Sequence, residues 1–300
     1  MTLGIKARVD NFLRKPYAMA YIFIFPAFFL LVVFHILPFF ASFFISLLNM
    51  QVSFRTARFV GLENFRLALQ DRFFRNALSV TMKFVIVEVP LQMLVGLLFA
   101  ALVTKNSFFN KLMRSIYFLP IVVSATAMGI MWGMTLHQIV GIFTYWINLM
   151  GFGRIAFLNT QGLAFGTVVF VVLWRSFGVS ILILVAAMQA VPDDYYDAAE
   201  VDGAGKIRQF WSITIPSIMP AIWFLVMTRV IGALQIFEII FTLTGGGPNF
   251  TTETVVAYVY RKINDGTSHM GYGTAMCLYL FAFIMTVTVI QYIIMKRTEQ

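Results

Sequence analysis

Six long apolar stretches alternate with shorter polar segments along the chain. Each stretch contains about the 20 mostly apolar residues that a helix needs to cross the hydrocarbon core of a bilayer. The stretches cover residues 18–46, 78–103, 115–136, 163–190, 217–243 and 270–294. The pattern therefore predicts an all-α, polytopic membrane bundle of six transmembrane helices, in which residues 1–300 form a single transmembrane domain.

The composition excludes a soluble or a disordered chain. Apolar residues make up 60% of the 300 residues and charged residues 12%, whereas soluble domains carry roughly 25% charged and 45–50% apolar residues. Disorder requires the opposite balance, with low hydrophobicity and high charge. The first apolar stretch is also longer than the ~7–15-residue core of a signal peptide, so we expect a retained first helix.

The net charge of +9 comes from Lys and Arg residues scattered singly between the apolar stretches. A nucleic-acid surface would gather them on one face, so we expect no nucleic-acid partner. If the amino terminus is inside the cell, the inner segments hold 11 Lys and Arg and the outer loops hold 8. This small excess favours cytoplasmic amino and carboxyl termini. The count includes a basic amino-terminal flank (Lys6, Arg8, Arg14, Lys15) and an arginine-rich first loop (Arg55, Arg58, Arg66, Arg72, Arg75).

The chain lacks the residue patterns of a metal centre or a catalytic site. Its single cysteine, Cys277, cannot form an intrachain disulfide, and its three histidines lie far apart in the sequence. No Walker A pattern, G-x-x-x-x-G-K-[ST], occurs, so the chain cannot hold a nucleotide in that way. The sequence therefore predicts a protein that is not an enzyme, has no cofactor or metal site of its own and takes its energy from a partner.

The segment 192–220 is more polar than the apolar stretches on either side of it and contains several proline and glycine residues. Pro192 and the acidic residues after it are typical of a helix start, and Gly203 can supply the positive φ that ends a helix. A second short amphipathic helix is predicted after it, because Ile207, Phe210, Trp211 and Thr214 recur every three to four residues. We expect this helix to end at Pro216. Such a helix pair needs a partner groove, or it lies on the membrane surface.

Within this segment, Asp197-Ala198-Ala199 is followed by Gly203 and then by Ile213-Thr214-Ile215-Pro216. This pattern resembles the EAA loop of ABC importer permeases, in which Glu-Ala-Ala, Gly, Ile and Pro stand at the same spacings. One position differs, because Asp197 replaces the usual glutamate and reaches one methylene less far. The resemblance implies that Asp197, Ala198, Ala199, Gly203, Ile213 and Pro216 couple the chain to an ATPase.

Two further motifs extend the resemblance over nearly the whole chain. Gly61-Leu62-Glu63-Asn64-Phe65 follows the first apolar stretch, and Gly245-Gly246-Gly247-Pro248 follows the fifth. Both are similar to the carbohydrate-uptake branch of these permeases, and most similar to the subunit related to the maltose and glycerol-phosphate permeases. The resemblance implies the fold of a type I ABC importer permease.

The resemblance also implies a set of partners and a location. The chain is expected in a bacterial or archaeal cell (inner) membrane, surrounded by lipid, with segment 192–220 in the cytoplasm. Its partners would be a second related permease subunit, two ABC ATPase subunits that bind ATP and Mg²⁺, and an external or periplasmic solute-binding protein. That last protein is expected to meet the outer stretches 50–76, 139–161 and 245–268.

Arg175 marks the expected solute path, because it lies near the middle of the fourth stretch between Trp174 and Ser176. A charge at the membrane midplane costs at least ~2.5–3.5 kcal/mol, so it should face protein or water rather than lipid. The resemblance adds Gln235 and Glu238, from the helix after the loop. A sugar or sugar-like solute suits these side chains, and an anionic solute such as a uronate or a glycerol phosphate is the alternative. Another alternative is that Arg175 forms an internal ion pair with Glu88 or Glu238.

A secondary transporter driven by an ion gradient is the rival function. Such carriers have broken helices and carboxylates near the midplane, positions that Glu88 and Glu238 fit. A secondary carrier needs no docking loop for an ATPase, so segment 192–220 favours the ATP-driven importer.

Overall fold

The computed structural model describes residues 16–50, 57–265 and 269–298, and these residues are almost entirely helical. The elements of the first half are α1 (Pro16–Leu31), α2 (Leu37–Ser46), β1 (Leu48–Asn49), β2 (Arg58–Phe59), α3 (Glu63–Gln70), α4 (Arg72–Val103), α5 (Phe108–Val122), α6 (Ala125–Thr135) and α7 (Ile142–Ile147). Five-residue π-helical segments follow α1 and α7, at Val32–Ile36 and Asn148–Phe152. The two strands form one short antiparallel pair.

The elements of the second half are α8 (Gln161–Gln189), α9 (Asp193–Val201), α10 (Lys206–Gln209), α11 (Ile215–Ser217), α12 (Met219–Leu234), α13 (Glu238–Leu243), α14 (Val255–Asn264) and α15 (Met270–Thr298). A π-helical segment, Phe210–Thr214, joins α10 to α11. The basic amino-terminal flank and Arg55 lie outside the described residues.

Among the described residues, four helices are long and apolar enough to cross a membrane. They are Met19–Ser46, Arg72–Val103, Gln161–Gln189 and Met270–Arg297. Two further spans arise if each of two bent helix pairs is counted as one, namely α5 with α6, bent by 96°, and Lys206–Ser217 with α12, bent by 67°. The all-α membrane bundle is therefore confirmed, and the bent pairs bring the number of spans to the six expected.

The stretch 115–136, expected as one helix, consists of two helices because the chain turns sharply after Pro120. Val123 adopts an extended conformation, and the side chain of Ser124 then caps α6 by accepting a hydrogen bond from the Ala127 amide at 3.2 Å. The stretch 217–243 is also divided, because α12 ends at Leu234 and α13 begins at Glu238. The residues at the first break, 122–124, are exposed, whereas Ile236 in the second break is buried.

Helix α4 is the centre of the bundle and packs against α8 and α12. The side chains of Phe84, Ile181 and Leu225 are fully buried in the contacts between these helices. Helix α5 lies very close to α8, since a Cβ atom on Gly178 would collide with the carbonyl oxygen of Tyr117. Small residues permit such close helix packing in membrane proteins.

The two ends of α4 are tied to different parts of the chain. At its carboxyl end, Arg114 of α5 donates hydrogen bonds to the carbonyl oxygens of Val103 and Thr104, with its Nε 2.9 Å from the first. The Gln189 amide at the end of α8 donates to the Thr104 oxygen at 2.6 Å. Segment 192–220 follows directly, so this is the loop end of the bundle.

At the opposite end, Asp71 caps α4 and receives hydrogen bonds from the hydroxyls of Tyr258 and Tyr272. Burial raises the pKa of Asp71, but these hydrogen bonds outweigh it and hold the pKa below its usual range. Asn64 belongs to the Gly61–Phe65 motif and donates its amide hydrogens to the Ser46 and Leu48 oxygens at 2.8 and 2.9 Å. This motif therefore joins α2 to α3.

Candidate coupling loop and central cavity

Helix α9 carries the acidic and alanine residues of the candidate coupling loop. Pro192 precedes it in an extended conformation, and two aspartates occupy its first turn, where negative charge favours the helix dipole. The side chains of Asp197 and Ala198 are exposed, and that of Ala199 is half-buried. The acid at the start of the motif thus faces away from the bundle.

Gly203 ends α9 in the left-handed conformation, with φ of +77°. The Gly203 amide donates to the Glu200 carbonyl at 3.0 Å, and the Ala204 amide donates to the Ala199 carbonyl at 2.8 Å. These two bonds define a Schellman motif, for which glycine is the favoured residue. A Cβ atom on Gly203 would meet no atom within 4 Å, so any side chain there would project away from this chain.

The inner face of the loop is packed firmly onto the bundle. The hydroxyls of Tyr196 and Thr214 lie 2.9 Å apart and join α9 to the segment before α11. Phe210, Ile213 and Ile215 contact the buried apolar cluster formed by residues of α4, α8 and α12. Ile213 is therefore a packing residue that anchors the loop.

The outer face of the loop exposes large apolar side chains. Val201 is 90% exposed, Ile207 79% and Trp211 65%. Pro216 is also exposed, and the helical segment continues one residue beyond it, to Ser217. Apolar residues of this size next to acids form a surface suited to a partner protein. The roles assigned to the six motif residues stay predictions.

A cavity of about 190 Å³ lies at the middle of the bundle, between α4, α8, α12 and the break before α13. Arg175 and Ser176 of α8 line it, as do Gln235 and Glu238 beside the break. Four of the five residues expected on the solute path are thus brought together. Trp174 is not among the lining residues, because its ring packs edge-on against Trp132 at 5.4 Å between ring centroids.

The cavity also contains two charged residues that the sequence did not assign to the solute path. Glu88 lies midway along α4, and Arg229 lies on α12. One guanidinium nitrogen of Arg229 is 3.5 Å from the carbonyl oxygen of Ser176. The signal for both residues was a charge inside an apolar stretch, which is rare unless the residue faces protein or water.

A buried hydrogen-bond network lies behind the cavity wall. The Ser176 hydroxyl donates to Gln92 Oε1 at 2.9 Å, and Gln92 Nε2 donates to the Ser180 hydroxyl at 3.1 Å. All three side chains are buried. The Ser176 hydroxyl therefore joins α8 to α4 and is not directed at a solute in this conformation.

Three buried polar atoms of the cavity have no hydrogen-bond partner among the described residues: Glu88 Oε2, Arg175 Nε and Arg229 Nε. Across residues 16–50, 57–265 and 269–298, no ion pair joins Arg175 to Glu88 or Glu238. The internal pair considered from the sequence is thus not formed in this conformation. An unmet donor or acceptor in a protein interior costs ~1–3 kcal/mol, so these atoms are available to a ligand.

Residues 92–300 match the family described as "Binding-protein-dependent transport system inner membrane component". The chain is 32% identical over 273 residues to the trehalose/maltose transport system permease protein MalF of Thermococcus litoralis, covering 91% of this chain and 92% of that protein. It is 31% identical to the sulfoquinovosyl glycerol transport system permease protein SmoG of Agrobacterium fabrum, covering 81% and 78%.

Among solved structures, the fold is similar to a chain of a bacterial alginate ABC transporter in complex with an alginate pentasaccharide-bound periplasmic protein. The TM-score is 0.80 at 19% identity, covering 91% of this chain and 92% of that one.

Proposed function

The chain belongs to the family of inner-membrane components of binding-protein-dependent transport systems, and we propose that it carries a sugar or sugar-like solute inward. It is a multi-pass permease subunit of an ABC importer. The observation that supports the solute path is the polar cavity at the middle of the bundle, lined by Arg175, Gln235 and Glu238. The carbohydrate class is supported by the trehalose/maltose and sulfoquinovosyl glycerol permeases among its relatives.

The proposed importer contains a second, related permease subunit. Gln235 and Glu238 line the cavity of this chain yet have exposed side chains, so one side of the cavity is open to a neighbour. A second bundle packed there would enclose the path and exclude lipid from the polar wall. An external solute-binding protein is also proposed, by analogy with the periplasmic protein in the alginate transporter complex.

Two ATPase subunits are proposed in the importer, one of which binds the outer face of the coupling loop, so this loop and both termini would lie in the cytoplasm. Val201, Ile207 and Trp211 offer apolar contact area, and Asp197 offers a carboxylate for a basic group of the partner. ATP and Mg²⁺ would bind to those partner subunits. The proteins of this family are transport components, so we propose that the partner ATPase subunits, and not this chain, hydrolyse ATP.

Movement of the ATPase would reach the cavity through packed side chains. The loop is joined to the bundle by the Tyr196–Thr214 hydrogen bond and by the apolar contacts of Phe210. The same apolar cluster includes Ile181 of α8 and Leu225 of α12, and these two helices carry Arg175 and Arg229. A pull on the loop would therefore move two cavity walls, as alternating access requires.

Cysteine cross-linking tests which end of the bundle binds the ATPase. Val201→Cys on the loop and Leu62→Cys at the opposite end are matched positions, since Val201 is 90% exposed and Leu62 71%. Each is placed in a Cys277→Ser background so that only one thiol reacts. In the assembled importer, a short thiol-to-amine cross-linker should join Val201→Cys, but not Leu62→Cys, to an ATPase subunit. If only Leu62→Cys were cross-linked to an ATPase subunit, the ATPase would bind the opposite end of the bundle, and the proposed docking role of the loop would be wrong.

A further inference from the structure

We propose that the central cavity selects a solute bearing an anionic group, held jointly by Arg175 and Arg229, with Glu88 competing with the solute for the charge of Arg229. The inference rests on the proposed function and names the class of solute, an acidic sugar or a polyol with a carboxylate, phosphate or sulfonate. Neither Arg229 nor Glu88 was assigned to the solute path by the sequence patterns.

The first argument is that two arginines of the cavity have unpaired N–H donors. Arg175 and Arg229 come from different helices and both line the cavity, and the Nε atom of each is buried with no hydrogen-bond partner in the part of the chain that is described. Guanidinium groups match carboxylate, sulfonate and phosphate because their N–H groups form a planar fork. Two such groups beside one cavity favour an anion over a neutral hydroxyl.

The second argument is the balance of charge. Two carboxylates line the cavity beside the two arginines, those of Glu88 and Glu238. Glu88 is 2% exposed and interacts electrostatically with Arg229, whereas the side chain of Glu238 is exposed at the open side of the cavity. Arg175 has no carboxylate within ion-pair distance in the part of the chain that the structure describes. A lone guanidinium at the middle of a span is costly, and an anionic group of the solute would neutralise it.

The third argument is that Arg229 already lies against α8 before any solute arrives. It lies 3.5 Å from the Ser176 carbonyl oxygen, and Ser176 is fixed in turn by Gln92. Side chains already ordered lose less entropy when they bind a ligand. The unpaired oxygen of Glu88 can accept a hydrogen bond from a solute hydroxyl, which suits a sugar acid better than a simple anion.

The test is equilibrium binding to the importer of permease and ATPase subunits, purified through a tag on this chain and without the proposed solute-binding protein, which would bind the probes itself. The probes are two radiolabelled pairs that differ in one group, glucuronate against glucose and glycerol 3-phosphate against glycerol. In at least one pair, the anionic member should bind at least about tenfold more tightly, equivalent to ~1.4 kcal/mol. Arg175→Gln and Arg229→Gln should each remove most of that preference.

Two further variants separate anion binding from a structural effect. Lys83→Gln removes one positive charge from an exposed position on α4 outside the cavity lining, and the preference should persist. Glu88→Gln keeps the shape of the side chain but removes the competing negative charge, so the anionic member should bind a few-fold more tightly. A purely structural role for Glu88 predicts no such gain.

Equal binding of both members in both pairs, or an unchanged preference in the two arginine variants, would overturn the proposal. Absence of saturable binding by any probe at millimolar concentration would also overturn it. None of these results would touch the proposed function, since ATP-dependent import of a neutral sugar would remain intact. Loss of ATP-dependent import altogether would instead remove the proposed function.

Discussion

Gly203→Asp should abolish coupled transport while the chain remains inserted in the membrane. The substitution places a side chain at φ of +77°, where a non-glycine residue costs about 1 kcal/mol or more. That cost is local to the loop, and no atom of this chain lies within 4 Å of the new Cβ. The added carboxylate would therefore project into the partner surface. Solute uptake should fall by more than about tenfold, with ATP hydrolysis uncoupled or the ATPase released.

Two control variants identify the cause of that loss. Gly203→Ala introduces the same backbone strain without bulk or charge, so it should retain most of the uptake. Asp197→Glu restores the commoner residue of the motif and should be tolerated. Uptake, copurification of the ATPase and membrane content are measured for each variant. Normal transport by Gly203→Asp would show that the loop is not the docking surface, and equal loss in Gly203→Ala would assign the defect to the helix end.

Arg175→Ala should stop uptake without disassembling the importer. The guanidinium forms no ion pair with a carboxylate among the described residues and is proposed to bind the solute, so its removal takes a binding contact from the solute. A hydrogen bond to a charged group contributes ~1.5–3 kcal/mol, which corresponds to a loss of about 10–100-fold. Uptake and ATP hydrolysis are compared in the same reconstituted importer, and hydrolysis by the partner subunits should continue.

Second-site changes distinguish solute binding from an internal ion pair. If Arg175→Ala is inactive but recovers when combined with Glu88→Ala or Glu238→Ala, the arginine serves to neutralise that carboxylate in another conformation. If Arg175→Ala transports normally, the arginine is structural at most, and α8 does not supply the solute path. Continued inactivity in all double variants agrees with direct contact.

The start and end of α9 in the coupling loop could be predicted from the sequence, because they depend on residues within the loop itself. Pro192, the acids after it and Gly203 set the start and the end of α9, and the Schellman motif at Gly203 matches that expectation. The second short helix follows from the spacing of apolar residues. Its continuation through Pro216 was missed, since proline is also compatible with the first turn of a new helix.

The bends within two apolar stretches could not be predicted from hydrophobicity. The hydrophobic pattern does not change where the chain bends, because the residues on both sides of the 96° bend in the stretch 115–136 are apolar. Pro120 and Ser124 carry the local signal, but proline is tolerated inside membrane helices and serine is common there. The bend also depends on packing between distant helices. After the bend, α6 lies so close to α13 that a Cβ atom on Gly129 would collide with the side chain of Thr242.

The composition of the cavity depends on contacts between distant helices. Arg175 was expected on the solute path as a charge near the middle of an apolar stretch, and Gln235 and Glu238 were expected there from the family resemblance. Whether Trp174 faces the cavity depends on helix rotation, and its contact with Trp132 fixes that rotation. Glu88 and Arg229 line the same cavity because α4 packs against α12. The residue pattern of a single apolar stretch cannot predict how two helices pack.

The energy source of uptake tests the central claim most directly. The complete importer, with its solute-binding protein, is reconstituted in vesicles whose ATP content and ion gradients are set independently. An ATP-driven importer should accumulate solute with ATP and an uncoupler present, and should stop when ATP is depleted while the gradients remain. Uptake that persists without ATP and collapses with the uncoupler would contradict this account and favour a secondary transporter using Glu88 and Glu238.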